Sequence, residues 1–318
     1  MTAARTPVDF DGDGKTDYAL IRIPHDFSTP PLEWHVLQSS GGSMFQQFGR
    51  LSWTATGDRA MPADYDGDGK CDFAIFRISS GPLTLFYLAS QTNTIQSMEL
   101  KGFSYPGMTQ DFDGDGKADP AEAWLEVNNN MIWRIMESRT GTVRIVHFGT
   151  YGDVAIRGDY DGDGKADIAV YRSDIGTPAN TFFILRSSDG TVQTQRFGNY
   201  QTDFVVSGDF DGDAMTDFAV WRGRATGAGT NGHWYWLESS TGAFRSLQFG
   251  ISSITDFAAP GDYDGDGKTD QAIARYTPAS PELPSGKLTF YVNRSTGGMT
   301  AVDWGTGYDM HLASFFVQ

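Results

Sequence analysis

Cysteine is nearly absent from the 318-residue chain: Cys71 stands alone, which excludes an intramolecular disulfide and leaves redox compartment unreadable from thiols. Also missing is any apolar run approaching the roughly 20 residues of a membrane-spanning helix. Positive charge is scarce, with 24 Lys and Arg against 40 Asp and Glu and a formal charge of -16, and no basic patch is visible. That argues against nucleic acid, whose binders need a cationic footprint to displace counterions. Long stretches of Ala, Leu, Glu and Lys are lacking, and Met1 to Val8 carries no charged segment followed by an apolar one, so no secretory signal peptide is expected in it.

What is present is Gly, at 38 residues, together with 22 Phe, 13 Tyr and 8 Trp, a balance that favours short strands and tight turns. The nonapeptide Asp-Phe/Tyr-Asp-Gly-Asp-Gly-Lys-x-Asp begins at Asp9, Asp64, Asp111, Asp159, Asp209 and Asp262, at intervals of 55, 47, 48, 50 and 53 residues. After each loop comes a short alternating run such as Phe73 to Arg77 or Phe218 to Arg222, then an aromatic strand such as Trp34 to Leu37 or His233 to Leu237, a Gly-containing turn, and a strand ending in Phe-Gly or a variant. Four strands in about 50 residues, repeated along the whole chain, predict an all-β fold: a six-bladed β-propeller of four-stranded antiparallel blades, with seven blades as the alternative and a linear solenoid disfavoured. One domain spans 1–318, with blades near 1–50, 51–102, 103–149, 150–198, 199–250 and 251–305 and a ring-closing strand in 306–318.

The acidic loop has the chemistry of a calcium site. Ca2+ takes six to eight hard oxygen ligands, and carboxylates at alternate positions of a tight turn supply them. The expected side-chain ligands are Asp9, Asp11, Asp13 and Asp17; Asp64, Asp66, Asp68 and Asp72; Asp111, Asp113, Asp115 and Asp119; Asp159, Asp161, Asp163 and Asp167; Asp209, Asp211, Asp213 and Asp217; and Asp262, Asp264, Asp266 and Asp270. Backbone carbonyls are expected from Lys15, Lys70, Lys117, Lys165, Met215 and Lys268. Four Asp in each of six loops make 24 of the 40 acidic residues, so six divalent ions would move the formal charge from -16 to about -4. An EF-hand is excluded, because the twelfth positions are Leu20, Ile75, Glu122, Val170, Val220 and Ile273 in strand-like segments. Zinc is disfavoured by five scattered histidines. The fifth loop has Ala214 for Gly and Met215 for Lys, and is expected to be the weakest site.

In these loops, and in the pairs Phe48-Gly49, Phe148-Gly149, Phe197-Gly198, Phe249-Gly250 and the variant Trp304-Gly305, the chain resembles the FG-GAP repeats of the integrin alpha-subunit head and, more closely, bacterial FG-GAP or VCBS repeat proteins. The resemblance covers essentially the whole chain. It implies calcium ligation by loop positions one, three, five, seven and nine, an extracellular or cell-surface location, and adhesion or carbohydrate recognition. The Gly-Ala-Pro element is absent after the second strand, where Arg is usual, so integrin ligand specificity is not implied.

Arg22, Arg77, Arg172, Arg222 and Arg275 lie thirteen residues after the loop starts, and Asp58, Asp153, Asp203 and Asp256 lie six before them, predicting cross-strand ion pairs at the far end of each inner hairpin. The first unit has Ala3 there, and Asp309 is expected to serve Arg22 and close the ring, with residues 4–8 competing for the same place. The third unit has Tyr105 for Asp and Trp124 for Arg, with Glu122 nearby, and reads either as an aromatic contact replacing an ion pair or as a ligand pocket. Trp53, Tyr105, Tyr151, Tyr200 and Tyr308 recur between blades, where they suit sugar stacking or interblade packing.

The expected role is a non-enzymatic binding or adhesion module for carbohydrate or a protein surface. A polysaccharide lyase or hydrolase is the alternative, with Glu33, Glu122, Glu126 and Glu238 as its spare carboxylates and no complete Gly-x-Ser-x-Gly around Ser104. A structural spacer is the third reading. Oligomeric state is not legible.

Overall fold

The computed structural model describes residues 8–22, 31–50, 57–78, 82–104, 107–173, 179–199, 201–223, 231–251 and 255–313. Six antiparallel sheets stand in a ring, and the fold is a six-bladed β-propeller. The fourth blade shows the plan, with Asp153–Ile156, Ile168–Ser173, Asn180–Leu185 and Val192–Arg196 paired in that order. Its second strand is buried over Ile168 to Tyr171, whereas the fourth alternates exposed and half-buried residues and forms an outer edge. The acidic nonapeptide joins the first strand to the second.

Five sheets have four strands, and the third blade has three among the described residues: Ala121–Leu125, Asn130–Glu137 and Thr142–Thr150. Where a first strand would run, Met108 N–H donates to the Ala121 carbonyl and Gln110 bridges Asp119.

The first blade confirms the expected closure. Tyr18–Arg22, Pro31–Leu37 and Ser43–Arg50 are completed by Met310–His311 from the C-terminal side, with Leu20 opposite His311 and Ile21 opposite Met310. Arg22 donates from Nε and Nη2 to the Asp309 carboxylate at 3.0 and 2.9 Å. Of the competing segment, residues 4–7 lie outside the described residues.

The core lies between blades. Val206, Phe210, Trp221 and Trp234 of the fifth blade, for example, pack with Ala258 and Ile273 of the sixth. Trp34 and Trp133 are fully buried, and their indole N–H groups donate to the carbonyls of Phe48 and Phe148 at 2.9 and 3.0 Å. Those bonds fix the outer strand where Phe-Gly ends it. The glycine is required there: Gly49 has φ +94, and a Cβ on it would sit 2.9 Å from Ile75 Cγ2 of the next blade.

Candidate metal centres

Each acidic loop folds on its own carboxylates. In the first, Asp9 accepts the N–H groups of Gly12 and Gly14 at 2.6 and 2.9 Å, which curls the loop around its first residue. Asp17 is buried and accepts Phe10 N–H at 2.8 Å and Ser39 N–H at 2.7 Å. Asp11 and Asp13 accept the hydroxyls of Ser40 and Ser39. The sixth residue is left-handed, with φ between +85 and +91 in Gly14, Gly69, Gly116, Gly164 and Gly267, and Ala214 adopts +69.

The serine contacts recur. Ser90, Ser138, Ser187, Ser239 and Ser295 each donate a backbone N–H to the ninth loop carboxylate, on Asp72, Asp119, Asp167, Asp217 and Asp270, at 2.6 to 2.7 Å. These serines sit in the turn between the third and fourth strands of the same blade, a second layer that sequence reading missed. The signal was there as a Ser in every such turn, hidden by connecting loops of unequal length.

Carboxylate oxygens converge within 4.8 Å of one another in Asp9, Asp11 and Asp13; Asp64, Asp66 and Asp72; Asp111, Asp113 and Asp115; Asp159, Asp161 and Asp167; and Asp209, Asp211 and Asp217. These clusters can hold a metal ion. The carbonyls of Lys15, Lys70, Lys117, Lys165, Met215 and Lys268 accept no hydrogen bond among the described residues, leaving them available as ligands. The donor set is hard oxygen throughout, which fits an alkaline-earth ion better than a softer transition metal. Hydrogen bonds already made by the carboxylates do not exclude an ion, since each oxygen has two lone pairs.

Crowding shows in the acidities. Burial, then the neighbouring Asp at position three, pushes the carboxyls of Asp17, Asp72, Asp119, Asp167 and Asp270 up to about 6 and that of Asp217 up to about 7. Burial also raises Asp9, Asp111, Asp159, Asp209 and Asp262, with nearby carboxylates adding to it.

The loops are joined to one another. The N–H at position eight donates to the carbonyl at position one of the preceding loop: Cys71 to Asp9, Ala118 to Asp64, Ala166 to Asp111, Thr216 to Asp159, Thr269 to Asp209, and Thr16 back to Asp262, at 2.5 to 2.7 Å. The circle is complete. The stem of Lys70 also lies across Gly12, and the same holds for Lys117 on Gly67, Lys165 on Gly114, Met215 on Gly162, Lys268 on Gly212 and Lys15 on Gly265. Cys71 is buried in this ring as a free thiol.

At the opposite end of the hairpins the predicted pairs are present: Arg77 with Asp58, Arg172 with Asp153, Arg222 with Asp203 and Arg275 with Asp256, all through Nε and Nη2 at 2.6 to 2.9 Å. Four of these guanidinium groups rest 4.2 to 4.9 Å from the rings of Phe86, Phe183, Tyr235 and Tyr291. The Asp also holds the amide after Phe-Gly, as Asp58 does for Arg50 at 2.7 Å.

The third blade keeps the ion pair with its carriers exchanged, which corrects the reading that an aromatic contact replaces it. Glu122, 1% exposed, accepts Arg134 Nη1 at 2.7 Å and Ser104 N–H at 2.6 Å. Glu122 thus does the work of the Asp, Arg134 stands at the register position of Phe86, and Trp124 stands at that of Arg77. Trp124, Tyr151 and Tyr308 are exposed at 53%, 73% and 48%. Trp53, Tyr105 and Tyr200 lie outside the described residues.

No protein-family model matches the chain, and no curated protein matches it. Among solved structures it is similar to a proposed 6-phosphogluconolactonase of Bacteroides fragilis, at 11% identity over 94% of this chain and 97% of that one, TM-score 0.40. It is similar to AofleA of Arthrobotrys oligospora at 11% identity over 94% and 93%, TM-score 0.46. A variant of Synechocystis apocarotenoid oxygenase aligns at 12% identity over 92% and 72%, TM-score 0.38. The expectation of a non-enzymatic chain is overturned by these neighbours, two of which carry the names of enzymes, and the exclusion of catalysis is withdrawn. At such scores no reaction is carried over to this chain. No helix among the described residues is long and apolar enough to cross a membrane.

Proposed function

We propose that the chain is a calcium-loaded propeller whose work is binding, with up to six Ca2+ ions holding the loop ring and the blade surfaces recognising carbohydrate or protein outside the cell or at its surface. The observation that carries the calcium reading is the repeated convergence of carboxylate oxygens beside an unused carbonyl in loops already folded around their own Asp residues. The resemblance to FG-GAP and VCBS repeats supports the same ion and location. When bound, the ion would supply charge neutralisation and cross-linking. Asp9, Asp11, Asp13 and Asp17, the Lys15 carbonyl and their equivalents would ligate, Asp9 and its equivalents would also anchor the turn, and the serine layer would hold the ninth carboxylate in place.

Isothermal titration of chelator-stripped protein with CaCl2, alongside thermal melts, tests the reading. Several calcium equivalents bound and a melting temperature raised by several degrees are expected. A melt that is the same with calcium and with chelator overturns it.

A further inference from the structure

We propose that the groove between the fifth and sixth blades is a saccharide site that takes one neutral pyranose ring, an inference that rests on the binding role above and assigns it a place. The groove has a volume of about 380 Å3. That lies in the range of small-ligand pockets and suits one sugar ring with its hydroxyls. Its lining includes two aromatic residues, Phe249 of the fifth blade and Tyr291 of the sixth, and two residues with amide side chains, Asn231 and Gln248. Neither amide has a hydrogen-bond partner among the described residues. An amide presents a donor and an acceptor at once, which matches a sugar hydroxyl, and an aromatic ring matches the apolar C–H face of a pyranose.

Charge favours a neutral sugar. Arg275, which also lines the groove, gives Nε and Nη2 to Asp256 at 2.6 and 2.8 Å, so its charge is already answered. Its guanidinium lies 4.6 Å from the Tyr291 ring centre and fixes that ring's position. The site is therefore pre-ordered without a net charge to attract an anion.

A neighbouring groove shows why this one is open. Between the fourth and fifth blades, Phe244 lies against Tyr235 and Phe197, with ring centres 6.2 and 6.3 Å apart, and fills the equivalent space. The register position of Phe244, opposite Leu237, is taken in the sixth blade by Met299, opposite Asn293. Met299 is 64% exposed and, unlike Phe244, sets no second ring against its neighbour Tyr291, one face of which is covered by the Arg275 guanidinium.

The test uses the full chain saturated with calcium on an array of neutral and acidic glycans, followed by calorimetry with the simplest neutral glycan retained. Met299→Phe should close the groove as Phe244 closes its own, and the double variant N231A/Q248A should remove the polar contacts. Each is expected to weaken the neutral glycan about tenfold or more, with melting temperature and calcium stoichiometry unchanged. Retention of no glycan, retention of acidic glycans only, or binding undiminished in both variants overturns the proposal. Calcium titration of the same samples reports separately on the calcium reading, so either can fail alone.

Discussion

Ala214 occupies a left-handed position, φ +69, that glycine fills in the other five loops. A Cβ at Gly14, Gly69 or Gly267 would meet nothing within 4 Å, so the cost at Ala214 is backbone strain alone. Ala214→Gly is expected to stabilise the protein by about 1 kcal/mol and to tighten the fifth site, read by denaturant unfolding and calcium titration. The ninth-position carboxylates give a second prediction. Their folded acidities are raised to about 6, and to about 7 at Asp217, from the ordinary 3.8, so between those values the folded state binds more protons than the unfolded one. Stability of the metal-free protein is then full below pH 4 as far as these groups are concerned, and is lost as pH rises through 6 to 7. Chelated protein should melt lower at pH 8 than at pH 5. Bound calcium favours the ionised carboxylates, so saturating CaCl2 should reverse that slope, and a metal-free melt unchanged across this window would remove the argument.

The hairpins and their ion pairs were readable because each signal is local or at a fixed offset. A nine-residue loop carries its own ligand set, and Asp six residues before it must face Arg thirteen residues after its start when the chain turns back at the loop. The third blade was not readable in this way. Tyr105 and Trp124 each look like a loss, and Arg134 becomes their compensation only when the third strand is placed opposite Glu122. The serine layer was obscured for a related reason, since the variable loop shifts its distance from the Asp it serves. Glu122→Ala should cost about 2 kcal/mol, because it leaves Arg134 and Ser104 N–H without their buried acceptor. Adding Arg134→Ala should cost less than the sum of the two single changes, a coupling that urea unfolding of the four proteins would measure. At the ring closure, Asp309 holds Arg22 and Thr306 N–H as Asp153 holds Arg172 and Thr150 N–H. Asp309→Ala and Asp153→Ala should therefore destabilise alike, by about 1 to 2 kcal/mol each given the partial exposure of the arginines. A much smaller loss at Asp309 would show that the C-terminal strand contributes little to closure.

Across the whole molecule, the loop ring makes the blades neighbours in a fixed order, and side-chain volume at their contacts records that order. The residue before each loop meets position eight of the next one. Gly158 meets Thr216, Gly208 meets Thr269 and Gly261 meets Thr16, whereas the larger Val8, Ala63 and Gln110 precede loops whose next neighbours offer Cys71, Ala118 and Ala166. A Cβ on Gly208 would lie 2.6 to 2.9 Å from the Thr269 side chain, a collision with a stiff β-branched residue that is half-buried. Gly208→Ala should accordingly destabilise by about 1 to 3 kcal/mol. Thr269→Ala alone should cost less, losing the 3.0 Å bond from Asp209 N–H and some packing. Together they recreate the Ala63 with Ala118 combination found between the second and third blades, so the double variant should be more stable than Gly208→Ala alone. A double variant no more stable than that single one would mean that the clash is relieved elsewhere and that blade order is not written in these contacts. Rescue would mean that each blade is fitted to its own neighbour, and that the six similar repeats fold into one arrangement of the ring rather than several.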